Sequence, residues 1–301
     1  MEDIFHAGEL AMQTRAGVQE AASRIGKGIG AEITPARKNF LREQRMVIVG
    51  SIDGQGRGWA SLLTGKAGFM QAVDARTIQI VATPAPGDPL NENLRTRGEV
   101  GLLAINLATR QRIRMNGTAI LRPESGLNVH TQQVYGNCPR YIQVRQVEED
   151  TSPVPLSPKS TPSVILSEEQ QGWIARADTF FITSFHAESG ADTSHRGGNP
   201  GFVRSVDGNT LLWPDYNGNG MFQTLGNIVA NPNVGLLFID FAYGRTLQLT
   251  GQARIIWEAE LVEQVVGAER LVEFHLGRAI ETSDVTSLRW RLMEYSPHNP
   301  A

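Results

Sequence analysis

Three stretches of this sequence concentrate side chains that can bind an anion or move a proton. Residues 194–196 read Ser-His-Arg, two positions after Asp192. Neighbouring side chains on a strand point to opposite faces, so a Ser-His-Asp triad is a poor reading of them. Arg196 suits better as a donor to a phosphate or a carbonyl. Ser194 adds a hydroxyl, and His195 an imidazole that can hydrogen-bond or pass a proton. Residues 213–220 read Trp-Pro-Asp-Tyr-Asn-Gly-Asn-Gly. Asp, Asn and Gly favour tight turns and positive φ, so backbone N–H groups can converge on an anion there. A helix after this loop would aim its N-terminus at the same point. Trp213 and Tyr216 can wall a flat ring, with Pro214, Asp215, Asn217 and Asn219 between and beside them. Arg110, Arg112 and Arg114 alternate, and the strand period of two puts all three on one face. Blander roles fit the same residues: an ordinary Gly-Asn loop, a salt-bridged Arg, an exposed charged strand face.

Other residues carry weaker signals. Cys138 is the single cysteine, which excludes an internal disulfide and a multi-cysteine zinc site and fits a reducing cytosol. No cationic cluster flanks it in sequence, so a structural role is simpler than a redox one. His6 and Glu9 would share a helix face, where one imidazole and one carboxylate suit capping or packing better than a metal. Residues 26–30, Gly-Lys-Gly-Ile-Gly, lack the spacing of a phosphate loop. The 301 residues include 28 basic and 31 acidic side chains, a net charge of −3, which gives no basic surface for nucleic acid. No apolar run reaches membrane-spanning length, and the acidic opening lacks the apolar stretch of a secretory signal. A cytoplasmic protein without nucleic-acid or membrane partners is expected.

The elements that would position these residues occur twice. Ser51, Ser61, Gly65, Gly68-Phe69 and Val73-Asp74 recur 133 residues later as Ser184, Ser194, Gly198, Gly201-Phe202 and Val206-Asp207. After a one-residue gap the offset becomes 134, and Asn93 and residues 100–103 recur as Asn227 and residues 234–237. Each copy starts with a capped helix, at Thr34-Pro35 or at Ser167 with Gln170. Short apolar strands separated by turns and Gly-rich connections follow, which predicts antiparallel barrels with few helices. Residues 151–164 contain four Pro and read as a stiff exposed linker. The expected plan is an N-terminal helical extension (1–33), barrel one (34–150), a linker (151–166), and barrel two with a C-terminal tail (167–301).

This grammar resembles the flavin mononucleotide (FMN)-binding split barrel of the pyridoxamine 5′-phosphate oxidase family, in its two-barrel branch. Residues 194–203, 212–219, 224–227 and 231–238 carry the resemblance in the second copy, and residues 59–65 and 135–142 in the first. Residues 5–9, Phe-His-Ala-Gly-Glu, also match that branch. The resemblance implies a mainly β, α+β fold of tandem split β-barrels, Greek-key and antiparallel, with short helices. It implies FMN in a groove between barrels, hence a pseudo-dimer within one chain, with a homodimer as a further option. Ser61 and Arg112 would reach FMN from the first barrel, and Ser194, His195, Arg196, Trp213, Pro214, Asp215, Tyr216, Asn217 and Asn219 from the second. An oxidoreductase would follow, served by a small-molecule or redox-protein electron donor. The alternatives are a non-catalytic flavin- or haem-binding module and an electron-transfer partner of a separate reductase. The oxidase's Arg-x-His pair for substrate phosphate is missing, and residues 289–291 read Arg-Trp-Arg. Pyridoxamine phosphate itself is therefore not the expected substrate, and no catalytic residue is assigned.

Overall fold

Local capping chemistry sets the helix starts. The computed structural model describes residues 4–122, 126–136, 138–149 and 156–301. Three helices lead the chain: α1 (Ala7–Ala16), α2 (Gln19–Gly26) and α3 (Pro35–Glu43). His6 and Glu9 form a reciprocal capping box on α1, and the Thr34 hydroxyl accepts from Arg37 N at the start of α3. The first half continues through β1 (Met46–Ile52), β2 (Gly58–Thr64), β3 (Met70–Ala72), β4 (Thr77–Ile80), α4 (Leu90–Thr96), β5 (Glu99–Asn106), β6 (Gln111–Arg122), β7 (Gly126–Gly136) and β8 (Val144–Glu149). The second half begins with β9 (Lys159–Ser163), α5 (Glu168–Arg176), β10 (Thr179–His186), β11 (Gly190–Gly197), β12 (Arg204–Ser205) and β13 (Thr210–Tyr216). It ends with α6 (Gln223–Ala230), β14 (Asn233–Asp240), β15 (Arg245–Ile256), α7 (Ala259–Val262), β16 (Ala268–Ser283) and β17 (Leu288–Glu294).

Two antiparallel sheets dominate, and neither closes into a barrel. Their strand orders are β2-β1-β5-β6-β7-β4-β3 and β11-β10-β14-β15-β16-β13-β12. The second order is the first one replayed strand for strand. Even the irregularities correspond: β7 carries an extra residue opposite Asn116/Gly117 of β6, and β16 carries one opposite Thr250/Gly251 of β15. The fold is therefore mainly β with short helices.

Strand alternation distributes the apolar side chains over three cores. Val47 and Val49 face the first half's interior, with Leu102, Met115 and Val129. Phe180, Trp213, Phe238 and Phe274 fill the second half. The opposite faces meet at a seam where Ile48, Leu62 and Leu103 pack with Phe181, Leu237 and Trp290. The seam is close enough to demand glycine. A Cβ on Gly58 would collide with the Val234–Gly235 backbone, and one on Gly101 with Asp192 and Thr193.

Some segments depart from the sequence reading. The Gly-rich connections contain β2 and β11; because both faces of these strands are buried, they lack the polar-apolar alternation of a surface strand. Within the Pro-rich stretch, residues 151–155 lie outside the described residues. Lys159–Ser163 is not free linker: it pairs with β16, with Pro162 opposite Ile280, and an added edge strand tolerates a Pro. The C-terminal β17 pairs with β8 of the first half. Among the described residues no helix is long and apolar enough to cross a membrane.

The N-terminal helices pack on the second half. A Cβ on Gly8 of α1 would strike Gly226 O of α6. His6 Nε2 meets Asn227 Oδ1 at 2.8 Å, and its ring stacks on His186 at 3.9 Å. Glu9 is buried under this contact, and desolvation raises its pKa from 4.5 to about 7, against the lowering effects of the His6 N–H and Arg114. The folded state thus holds this proton more tightly than the unfolded chain, so the stability it contributes is full below pH 4.5 and is lost as pH rises through 7. Between those limits, wild type should lose on the order of 3 kcal/mol relative to Glu9→Gln, measured by urea unfolding at each pH.

Candidate functional site

A cavity of about 370 Å³ opens where the two halves meet. Segments from both halves build it. Strand β6 sends in Arg112 and Arg114, and the segment after β7 adds Cys138, Arg140 and Tyr141. Strand β11 supplies Ser194, His195 and Arg196. The end of β13, its loop and the start of α6 supply residues 214–220 and 222–225. Trp257, Glu269 and Arg270 complete the wall, with Ala16 and Val18 at the α1–α2 junction.

The cavity has a cationic pole. Arg112 Nη2 donates to Cys138 O at 2.7 Å, while its Nε and Nη1 are shielded from water and have no partner. Burial, then the charges of Arg114 and Arg196, push the Arg112 pKa down to about 9, which still leaves it protonated at neutral pH. Arg196 donates to Ser194 Oγ at 2.9 Å and to His195 O at 3.1 Å. Among the described residues neither Arg112 nor Arg196 has a carboxylate within ion-pair distance. Asp215 acts on Arg196 only from beyond that distance, so these two half-buried guanidiniums carry a desolvation cost that a bound anion would offset.

Arg114 is different, because it is already paired. Its Nη2 donates to Asp192 Oδ2, and its Nη1 to Gln223 Oε1 at 3.1 Å. Asp192 Oδ1 also accepts from Tyr135 Oη at 3.0 Å and Asn116 Nδ2 at 3.3 Å. This network joins β6 and β7 of one half to β11 and α6 of the other. His195 is 3% exposed, packs edge-on against Phe181, and has no partner on either ring nitrogen. Burial, reinforced by Arg112, Arg196 and Arg145, holds its pKa well below the usual histidine value, so the imidazole is neutral.

The opposite wall is aromatic. Tyr141 and Tyr216 lie 5.1 Å apart, and Arg270 sits between Phe222 and Trp257 at 4.7 and 5.0 Å from their centroids. Arg270 also pairs with Asp215 at 3.6 Å and with Glu269. Asn217 ties the halves across the mouth. Its Oδ1 accepts from Arg140 at 2.6 Å, its carbonyl from Tyr141 Oη at 2.8 Å, and its Nδ2 donates to Glu269 at 2.8 Å. Tyr141 and Phe222 have φ of 67° and 59°, a left-handed conformation that costs such residues about 1–3 kcal/mol each.

Arg112, Ser194, His195, Arg196, Pro214, Asp215, Tyr216, Asn217 and Asn219 therefore lie on one cavity, as expected. Two candidates do not. Trp213 points into the second half's core, 5.2 Å from Phe180, on the face of β13 away from the cavity. Ser61 is buried on β2 and donates to Asp88 at 2.6 Å; it lies in the first-half counterpart of this groove. Arg110 also leaves the expected cationic face. It precedes β6 in a left-handed turn, where it bonds Ile142 O and Glu294. Sequence reasoning missed the site roles of Arg140, Tyr141, Phe222, Trp257, Glu269 and Arg270. Correspondence of β16 with β7 is the signal that would have drawn attention to Glu269 and Arg270, which otherwise read as part of a tail.

Removing Asp192 would leave Arg114 buried and unpaired. Asp192→Ala should cost about 3–5 kcal/mol in urea unfolding, far more than an exposed-pair control such as Glu92→Ala at Arg95.

Comparison with known proteins bears on the second half of the chain. Residues 166–293 match the model of the pyridoxamine 5′-phosphate oxidase family. HupZ of Group A Streptococcus is similar in structure at 15% identity and a TM-score of 0.31, covering 37% of this chain and 89% of that one. A Clostridium acetobutylicum protein related to general stress protein 26 of B. subtilis, of the pyridoxinephosphate oxidase family, is similar at 9% identity and a TM-score of 0.29, covering 42% and 92%. No curated protein matches the sequence. Over residues 166–293, the chain is similar to the pyridoxamine 5′-phosphate oxidase family.

Proposed function

We propose that this protein binds FMN in the cavity between its halves and acts as an oxidoreductase. The observation that carries the reading is the pair of half-buried guanidiniums, Arg112 and Arg196, which line one cavity with no carboxylate within ion-pair distance of either among the described residues. They fit a phosphate, and the aromatic wall of Tyr216, Phe222 and Trp257 fits a flat ring system. The family is flavin-binding in general. The matched strand orders support the reading of the chain as a pseudo-dimer of two copies, with the groove at their junction.

In this reading Arg112, Arg196 and Ser194 hold the phosphate, and residues 214–220 follow the ribityl chain. Asn217 fastens the mouth through Arg140, Tyr141 and Glu269, which orients the ring and limits water. When bound, the flavin would supply the redox chemistry, with electrons drawn from a small-molecule or redox-protein donor. A cytoplasmic setting suits the single free thiol, Cys138.

One observation favours a second reading. His195 is neutral and unpartnered on the cavity wall, the state in which an imidazole ligates haem iron. The visible spectrum decides between the two. Protein mixed with FMN and desalted should keep the twin flavin bands, and Arg112→Ala and Arg196→Ala should each weaken FMN binding about tenfold or more. Haem retained in place of FMN, with a Soret band lost in His195→Ala, would replace the flavin reading by the haem one.

A further inference from the structure

The first half contains a counterpart of the open groove, and it is already filled. Asp88, on the loop before α4, accepts from Ser61 Oγ at 2.6 Å and from Leu90 N at 2.8 Å through Oδ1. Its Oδ2 accepts from Gln248 Nε2 of the second half at 3.1 Å. Gln248 also donates to Ala60 O at 2.9 Å and approaches Ser61 Oγ at 3.3 Å, so the pocket is fully bonded. Burial raises the Asp88 pKa to about 6, while Ser61, Leu90 and Gln248 pull it back down, and the group is mainly a carboxylate at neutral pH.

The correspondence between the grooves rests on bonds as well as sequence offset. Val49 faces Ser61 across β1–β2, and Ile182 faces Ser194 across β10–β11. The register shifts at Asn116/Gly117 and Thr250/Gly251 align Arg114 with Gln248. Asn93 Nδ2 donates to Ser51 Oγ at 2.9 Å, and Asn227 Nδ2 to Ser184 Oγ at 3.0 Å. That match fixes Leu90 against Thr224, three residues earlier in each helix. The three groups that hold Asp88 therefore correspond to Ser194 Oγ, Thr224 N and Arg114, and all three residues line the open cavity. At Asp88's own corresponding position stands Phe222, which brings no charge.

We infer that Asp88 is a built-in anion occupying the counterpart groove, so that the chain takes one anionic ligand, held in the open groove by Ser194 Oγ, the Thr224 N–H and Arg114 alongside Arg112 and Arg196. This rests on the reading of the open groove as a site for an anion-bearing ligand such as FMN. The hydrogen-bond state suits it. Arg196 donates to Ser194 Oγ, which leaves the serine proton to donate onward, as Ser61 donates to Asp88. Thr224 lies in the first turn of α6, where N–H groups have no partner within the helix. Arg114 Nε is shielded from water and unpartnered. Where the closed groove uses a neutral amide toward Asp88, the open one has Arg114, whose Nη groups are held by Asp192 and Gln223 and whose Nε remains for a ligand.

The test titrates full-length wild type, Ser194→Ala and Arg114→Gln with FMN, riboflavin and inorganic phosphate, and follows thermal unfolding of Asp88→Ala in acetate or phosphate against chloride at equal ionic strength. Wild type should bind one FMN per chain. Ser194→Ala should lose about tenfold or more in FMN affinity and much less in riboflavin affinity, because only FMN carries the anion. Arg114→Gln should do the same where it folds. Asp88→Ala should melt below wild type and recover selectively in acetate or phosphate. Two FMN per chain, equal losses for riboflavin and FMN, or an Asp88→Ala variant indifferent to those anions would each overturn the inference. Should wild type bind neither flavin, the flavin reading fails alone. Phosphate stabilisation of wild type lost in Ser194→Ala, with anion recovery of Asp88→Ala, would still support the inference, and the absence of both would end it.

Discussion

The close approach of the two sheets at the glycine seam constrains everything else. Gly58 against Gly235, and Gly101 against Asp192 and Thr193, leave no room for a Cβ. Packed interiors answer such crowding by shifting backbone, so these contacts fix how one half sits on the other. That register carries β6 of one half to the groove of the other, and β15 in the reverse sense. Arg112 and Arg114 share a cavity with Ser194 because the seam holds, and Gln248 reaches Ser61 for the same reason. The site is a property of the junction, and neither half contains it alone.

On this nearly symmetric frame the chain places unequal charge. The open groove is lined by five guanidiniums, Arg112, Arg114, Arg140, Arg196 and Arg270, against two carboxylates, Asp215 and Glu269, and Arg114 is paired with Asp192. The closed groove has only a serine, an amide and its own carboxylate. Buried cations without counterions weaken a folded state, and left-handed Tyr141 and Phe222 add backbone strain on the same wall. These costs fall together at the open groove, while its counterpart is fully hydrogen-bonded. Stability is given up locally where a ligand can restore it, and the Asp192 network and the Arg145–Asp178 pair hold the surroundings rigid meanwhile.

Much of this was legible in the sequence, for identifiable reasons. Caps at Thr34 and Ser167 are local chemistry, and β1, β5, β6, β14 and β15 announce themselves by apolar content. The Gly-Asn loop at 214–220 and the Ser194–Arg196 stretch pointed correctly to one cavity. Parity was harder. Trp213 and Pro214 are adjacent, and only the pairing of β13 with β16 decides which faces the core. Ser61 lies away from the open cavity because its partner, Asp88, comes from a loop of the first half that no local pattern ties to β2. Arg270 was invisible because β16 bulges between its ladders and shares few residue identities with β7.

The β8–β17 ribbon has a consequence for ancestry. Strand β17 lies after all of the second half's sheet, yet it pairs with a strand that closes the first half. Dividing the gene between the sheets would give two products, each with one strand of the ribbon and an exposed edge. They would have to find each other to complete it. A symmetric pair of identical single-barrel chains could later drift into this arrangement, but the reverse path is barred. Because the grooves carry unequal charge and the ribbon joins unlike strands, a copy of either half cannot stand in for the other.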